Sequence, residues 1–290
     1  MRYFLKLAYN GTNYFGWQMQ ANAVAVQEVL ANALNLLLKE EINLMGAGRT
    51  DTGVHAREFY AHFDTQICFD AERKDKPLNP LKGTAEFADN QFSPSGVGGD
   101  YPQIQHVSKD NFLKRINSFL PNDIVIYDIL PVKDTAHARF DAISRTYHYY
   151  VLTKKDPFLD KFSHRVFQSL DMEKMNACCE KLMHYTDFTS FSKVHTQTFT
   201  NNCKITSAQW KEEKDGLLVF EITADRFLRN MVRAIVGTLL DVGKGKLSVD
   251  DFCTIIEQKD RCSAGVSVPA HALFLEKVIY PEDIWKREEL

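Results

Sequence analysis

Residues 2–9 (RYFLKLAY) alternate between apolar and polar positions, the period of two that gives a strand one buried face. Over 24–38 (VAVQEVLANALNLLL) the period changes. Val26, Val29, Leu30, Ala33 and Leu37 fall at the i, i+3, i+4, i+7 spacing of an amphipathic helix. A short strand at 41–45 then runs into a glycine-rich turn, and a second strand follows at 58–64 (EFYAHFD). The pattern predicts a helix over 109–119, stopped at Leu120-Pro121, and a strand over 124–132. The order β-α-β-β-α-β is that of a ferredoxin-like sandwich, an antiparallel sheet covered on one side by helices. The second half repeats it approximately. A strand at 144–153, a helix at 171–184, a hairpin of 205–211 and 217–224 around Lys214-Asp215-Gly216, an apolar helix at 229–242 and a closing strand at 273–280 are expected. The fold class is therefore α+β: two ferredoxin-like αβ sandwich domains, 1–135 and 136–290, whose antiparallel sheets meet at a central cleft suited to a large ligand. Residues 133–143 form the crossing segment. Residues 71–104 lack periodicity and are rich in Pro, Gly, Asn, Asp and Ser, so they read as an insertion in the first domain.

A length of 290 residues agrees with two domains. The 35 Lys and Arg against 38 Asp and Glu leave a net charge of -3, so any affinity for a polyanion must be local. The charge is uneven. Within 226–246 (RFLRNMVRAIVGTLLDVGKGK), Arg226, Arg229, Arg233, Lys244 and Lys246 face Asp241 alone, whereas 71–104 and 276–290 carry net -1 and -2 and so account for the whole -3. On a helix Arg226, Arg229 and Arg233 would share one face, with Met231, Val232, Ile235, Val236 and Leu239 packed behind them. Six cysteines without a C-x-x-C pair suggest neither zinc nor a disulfide framework, and reduced thiols in a cytoplasm are expected. Arg2 and Lys6 interrupt what would have to be a signal-peptide core, and no apolar run approaches the roughly 18 residues of a membrane span.

The densest local chemistry lies in Gly46-Ala47-Gly48-Arg49-Thr50-Asp51-Thr52-Gly53-Val54-His55-Ala56. Three glycines allow close approach of a ligand to the backbone, and the one carboxylate, Asp51, is flanked by Arg49, Arg57 and two hydroxyls. Asp51 either caps the turn or is presented for chemistry. Asp51-Thr52-Gly53 also spells the aspartic-protease tripeptide, but that mechanism needs two carboxylates sharing one proton, and the chain has no second D-T-G or D-S-G. The strand Arg145-Thr146-Tyr147-His148-Tyr149-Tyr150 would place Tyr147 and Tyr149 on one side with Arg145, either as core packing or as a stacking platform for a base.

Seven blocks in order, YNGTNYFGWQ (9–18), VQEVL (26–30), GRTDTGVHA (48–56), LPNDI (120–124), HARFDAISRTYHY (137–149), DFTSF (187–191) and FLRNMVRAIVG (227–237), resemble those of the TruA-type tRNA pseudouridine synthases. The resemblance implies the pseudouridine synthase fold and isomerisation of uridine to pseudouridine at positions 38, 39 and 40 of the tRNA anticodon arm, without cofactor or metal. It implies a homodimer in which one tRNA touches both subunits. Asp51 matches the family's nucleophile, Arg233 the arginine paired with it, and Tyr147 the tyrosine that stacks on the target base and takes part in proton transfer at C5. Arg49 matches the arginine that fills the space left by a flipped nucleotide. Leu273 matches an apolar residue against the uracil, while Arg226, Arg229 and Lys244 are expected to bind substrate through the basic run. The sequence departs from the family pattern at Asn10, where Asp is usual, at Ala272, where Gly is usual, and in the length of 71–104. A catalytically silent tRNA-binding protein is the other reading compatible with these blocks.

Overall fold

The computed structural model describes residues 1–70, 105–193 and 199–286, so the expected insertion lies outside the described residues. Strand β1 (Arg2–Tyr9) leads to helix α1 (Val26–Leu38), which buries Val26, Leu30, Ala33 and Leu34 and is stopped by Lys39 in the left-handed conformation. There follow β2 (Met45–Gly46), β3 (His55–Asp64), β4 (Cys68–Asp70), β5 (His106–Ser108), α2 (Lys109–Phe119) and β6 (Ile124–Pro131). The second half contains β7 (Ser144–Leu152), β8 (His164–Arg165), α3 (Met172–Leu182), β9 (Ile205–Lys214), β10 (Leu217–Ala224), α4 (Met231–Gly243), α5 (Val249–Gln258) and β11 (Leu273–Ile279). Helix α5 is absent from the sequence expectation. Its start is nonetheless written as a capping box, Ser248 and Asp251 bonding reciprocally to each other's backbone N–H.

The expected pair of antiparallel sheets is instead one sheet of nine strands. Its order is β6-β1-β3-β11-β7-β10-β9, with β2 on β3 and β8 on β7. Strand β11 makes the junction, running parallel to β3 (Phe274 beside His55, Leu275 beside Ala56) and antiparallel to β7 (Leu273 beside Tyr149, Leu275 beside Tyr147). Without it β3 and β7 would each present an edge of unpaired N–H and C=O groups at the centre of the molecule. Consecutive Leu273, Phe274 and Leu275 are all buried, the signature of a strand covered on both faces.

Buried side chains form two clusters. One is built on β1, β3, β6, α1 and α2 and includes Leu275, Val278 and Tyr280; the other is built on β7, β9, β10, α3, α4 and α5 and includes Leu273 and Val54. Tyr147 packs against both. The junction strand, the loop between β2 and β3, and Tyr147 thus meet where the two cores adjoin. The six cysteines are unbridged, and no helix among the described residues is long and apolar enough to cross a membrane.

Candidate active site

The loop from β2 to β3 is held to the segment after β1 by contacts only glycine permits. Gly16 has φ of +85°, and a Cβ there would lie 2.2 Å from the Thr50 carbonyl oxygen. The Trp17 N–H donates to that carbonyl (3.4 Å), the Gly53 N–H donates to Tyr14 O (3.2 Å), and the Tyr9 hydroxyl bonds to Thr50 Oγ1 (2.9 Å). Asp123, in the turn before β6, accepts from the Tyr14 hydroxyl and the Asn13 amide, so the LPNDI block fixes the first motif from behind.

His55 ties the loop's exit to the far half of the chain. Its Nδ1 accepts from the Gly11 N–H (2.9 Å), which leaves Nε2–H to donate to His271 O (3.0 Å). The ring is 1% exposed, and burial pushes its pKa down to about 4, so it is neutral in the fold. The same 268–272 segment accepts from the Tyr149 hydroxyl at Pro269 O and from Arg233 Nε at Val268 O (2.7 Å). It is joined to α4 by the Val268 N–H on Arg233 O (3.2 Å), and just before it Val266 O packs on Gly237, where a Cβ would lie 2.0 Å away.

Asp51 emerges from this scaffold half-buried, at the start of a turn closed by the Val54 N–H on the Asp51 carbonyl. Its carboxylate bonds nothing in its own turn, which removes the capping reading. One oxygen meets Arg233 Nη1 at 3.3 Å and the other meets Arg229 Nε at 3.6 Å. Arg233 is half-buried and braced by Val268 O, whereas the Arg229 side chain is 60% exposed, with Asp51 as its ion-pair partner. Two guanidinium groups on one carboxylate are the opposite of a proton-sharing dyad, so the protease chemistry has no basis here.

The expected helical face of three arginines is not formed. Asn230 adopts φ of 68° and α4 begins only at Met231, so Arg226 and Arg229 belong to the loop that enters it; the five apolar residues expected behind them are all buried. Arg229 reaches Asp51 from that loop. Lys244 caps the other end of α4, eleven positions beyond Arg233 and roughly 16 Å along the axis. Tyr147 lies on β7 with its ring 5.1 Å from Phe227, edge to face. Burial and, after the opposing effect of Arg145, the charge of Asp51 push its hydroxyl up to about 12. Tyr149, for which core packing and a stacking platform are the two readings, is fully buried and belongs to the core. Leu273 is 6% exposed and lies next to Tyr149 in register. Arg49 is exposed on the loop, and Arg226 is half-exposed.

Sequence reasoning missed His55, Arg139 and the contacts of Arg145. His55 and Arg139 lie inside the GRTDTGVHA and HARFDAISRTYHY blocks, but the partners of His55, Gly11 and His271, are distant in sequence and no spacing rule points to either residue. A cavity of about 870 Å³ opens on the other side of His55, lined by Arg57, Tyr150, Phe162 and Phe274 among others; its lining includes none of Asp51, Tyr147 or Arg233. Cys68, Asp70 and His106 place metal-type donor atoms within 4.8 Å of one another. They sit beside Tyr3, at the end of β1 away from Tyr9 and the Asp51 loop, and Asp70 is already hydrogen-bonded to His106.

Comparison with known proteins follows the same outline. A family profile described as tRNA pseudouridine synthase matches residues 179–281. A protein from Porphyromonas gingivalis named tRNA pseudouridine synthase A is 49% identical over 98% of this chain and 99% of its own length. One of the same name from Bacteroides fragilis is 47% identical over 98% of each chain. Another from a Thermoanaerobacter species is 35% identical over 94% of this chain and 96% of its own.

Proposed function

The chain belongs to the tRNA pseudouridine synthase family, and from that premise we propose that it converts uridine to pseudouridine at positions 38, 39 and 40 of the tRNA anticodon arm, with Asp51 as nucleophile. The observation that carries the assignment is the Asp51 carboxylate held between Arg233 and Arg229 within the field of the Tyr147 hydroxyl. An anion fixed on one side by a braced arginine keeps its other lobe for attack. Addition to uracil C6 or to ribose C1′ lets the bond between N1 and C1′ break; the base turns, a bond forms from C5 to C1′, the C5 proton leaves, the freed N1 takes up a proton and the carboxylate is released. Every atom of the substrate is retained apart from that proton, which exchanges with water, so the reaction calls for no co-reactant.

Tyr147 supplies the face for the uracil, and its hydroxyl, protonated at neutral pH, is the group to relay the proton between C5 and water. Arg229 shields Asp51 until substrate arrives and then turns to the RNA backbone, a role its exposure supports. Arg49 fills the gap left in the helix by the flipped nucleotide, and Leu273 backs the uracil through the Tyr147 strand. The halves on either side of β11 correspond in this reading to two ferredoxin-like sandwiches fused through their sheets, supported by the division of the buried residues.

The test is tritium release from tRNA labelled at uridine C5. Asp51→Ala and the isosteric Asp51→Asn are expected to release no tritium above background while binding tRNA within a few-fold of the parent. Release at the parental rate from either variant would remove Asp51 from the mechanism. Loss of binding together with activity would reduce it to a structural residue.

A further inference from the structure

Arg145 was expected to stand in line with the strand tyrosines. Its guanidinium instead turns into the protein and donates only to main-chain carbonyls. Nη1 bonds Ala142 O (2.8 Å) and Asp225 O (2.7 Å); Nη2 bonds Ala47 O (3.2 Å) and Arg139 O. These carbonyls come from three separate stretches: the loop that carries Asp51, the turn between β6 and β7, and the loop that enters α4. Each stretch bears an arginine one or two residues from the bonded carbonyl, or at it: Arg49, Arg139 and Arg226. Among the described residues none of the three has a carboxylate within ion-pair distance. The nearest acids in sequence are engaged elsewhere: Asp51 with Arg233 and Arg229, Asp141 with the His137 N–H, and Asp225 with the N–H groups of Lys204 and Arg226. The Arg139 guanidinium is held below its ordinary value, first by partial burial and then by the charges of Arg49 and Arg226. It packs over the exposed ring of Phe140 at 5.6 Å.

Like charges collected without a counter-ion repel one another, and a fold holds them together only if something rigid does so. Four charge-assisted bonds from one planar donor are such a device, because the guanidinium fork fixes direction as well as distance. We propose that Arg145 is a positioning residue that locks these three stretches so that Arg139 and Arg226, next to Arg49, form one rim binding the phosphodiester backbone of the RNA beside Asp51. The proposal rests on the function argued above and adds to it Arg139 as a phosphate ligand and Arg145 as the residue that aligns the ligands without touching RNA.

The test compares Arg145→Lys, Arg139→Gln, Arg226→Gln and the double variant Arg145→Lys with Arg139→Gln, each well below its own unfolding temperature. Affinity for tRNA is measured across a salt series, and pseudouridine formation in single turnover. Arg139→Gln should weaken binding several-fold and lower the slope of log K against log[salt] by about 0.7 to 0.9, the loss of one phosphate contact. Arg145→Lys removes no charge, yet it should lower the slope by at least as much, and adding Arg139→Gln to it should cost little more. A lower melting temperature with an unchanged salt slope makes Arg145 merely structural and overturns the proposal; additive losses in the double variant do the same. If Arg145→Lys does not fold, Arg139→Gln and Arg226→Gln still decide: unchanged slopes in both mean that the rim binds no phosphate. Failure of the parent protein to form pseudouridine would sink the functional reading, a result distinct from all of these.

Discussion

Tyr147 has two jobs in the proposed reaction, a ring to stack and a hydroxyl to move a proton, and substitution separates them. Tyr147→Phe keeps the ring packed edge to face on Phe227 and removes the hydroxyl. It should bind tRNA nearly as the parent does, while single-turnover pseudouridine formation falls by about a hundredfold or more. An unaffected rate would leave the ring with stacking alone. Because the hydroxyl titrates near 12 rather than 10, the parent rate should show no alkaline loss centred near 10. A pH profile with such a loss would contradict the burial of this group. The pairing of Asp51 with Arg233 was expected from the sequence because each lies in a contiguous block. The inward turn of Arg145 was not, since strand alternation says which side a residue takes but not which carbonyls wait there.

At the scale of elements, periodicity located eleven strands and helices to within about three residues, β1, α2 and β10 to the residue, because amphipathic patterns and stops such as Leu120-Pro121 act locally. It misread the entry to α4, where apolar spacing continues smoothly through Arg229 although Asn230 is left-handed and the helix starts after it. Apolar spacing does not report a single backbone torsion. The Asp51 loop depends on another such torsion. Gly16→Ala must force a β-carbon into the Thr50 carbonyl and hold φ of +85° with a side chain. A loss of roughly 2 kcal/mol or more in urea unfolding is expected, with a drop in pseudouridine formation measured on the fraction still folded. Parental stability in that variant would mean that the loop is not braced where the contact places it.

Over the whole molecule, two buried histidines set an acid limit. His55 and His62 both titrate near 4 in the fold against an ordinary 6.5, in each case chiefly because burial disfavours the charged ring. His62 also accepts from the Ala138 N–H, a bond the doubly protonated ring cannot accept at Nδ1. Both pKa values are depressed, so the unfolded chain binds more protons than the folded one between about pH 6.5 and 4. Their contribution is complete above 6.5 and is lost as pH falls toward 4, at up to about 1.4 kcal/mol per pH unit for each ring. Urea midpoints measured from pH 7.5 to 4.5 should hold steady and then fall below about 6.5; a flat profile to pH 5 would contradict the neutral, bonded rings. The sequence showed two similar halves but not their fusion, because the partners of β11 lie about 125 and 220 residues before it and pairing across such separations leaves no local trace.

That fusion has a consequence for how the protein comes into being. In chain order β11 follows every other strand of the sheet it completes. As a nascent chain lengthens, each half can collapse on its own core, but the seam between them cannot close before residue 279 is available. The loop bearing Asp51 is made early, Arg233 late, and the 268–272 brace last of all. A growing polypeptide therefore passes most of its synthesis without a complete site, which needs the seam strand and the segment before it.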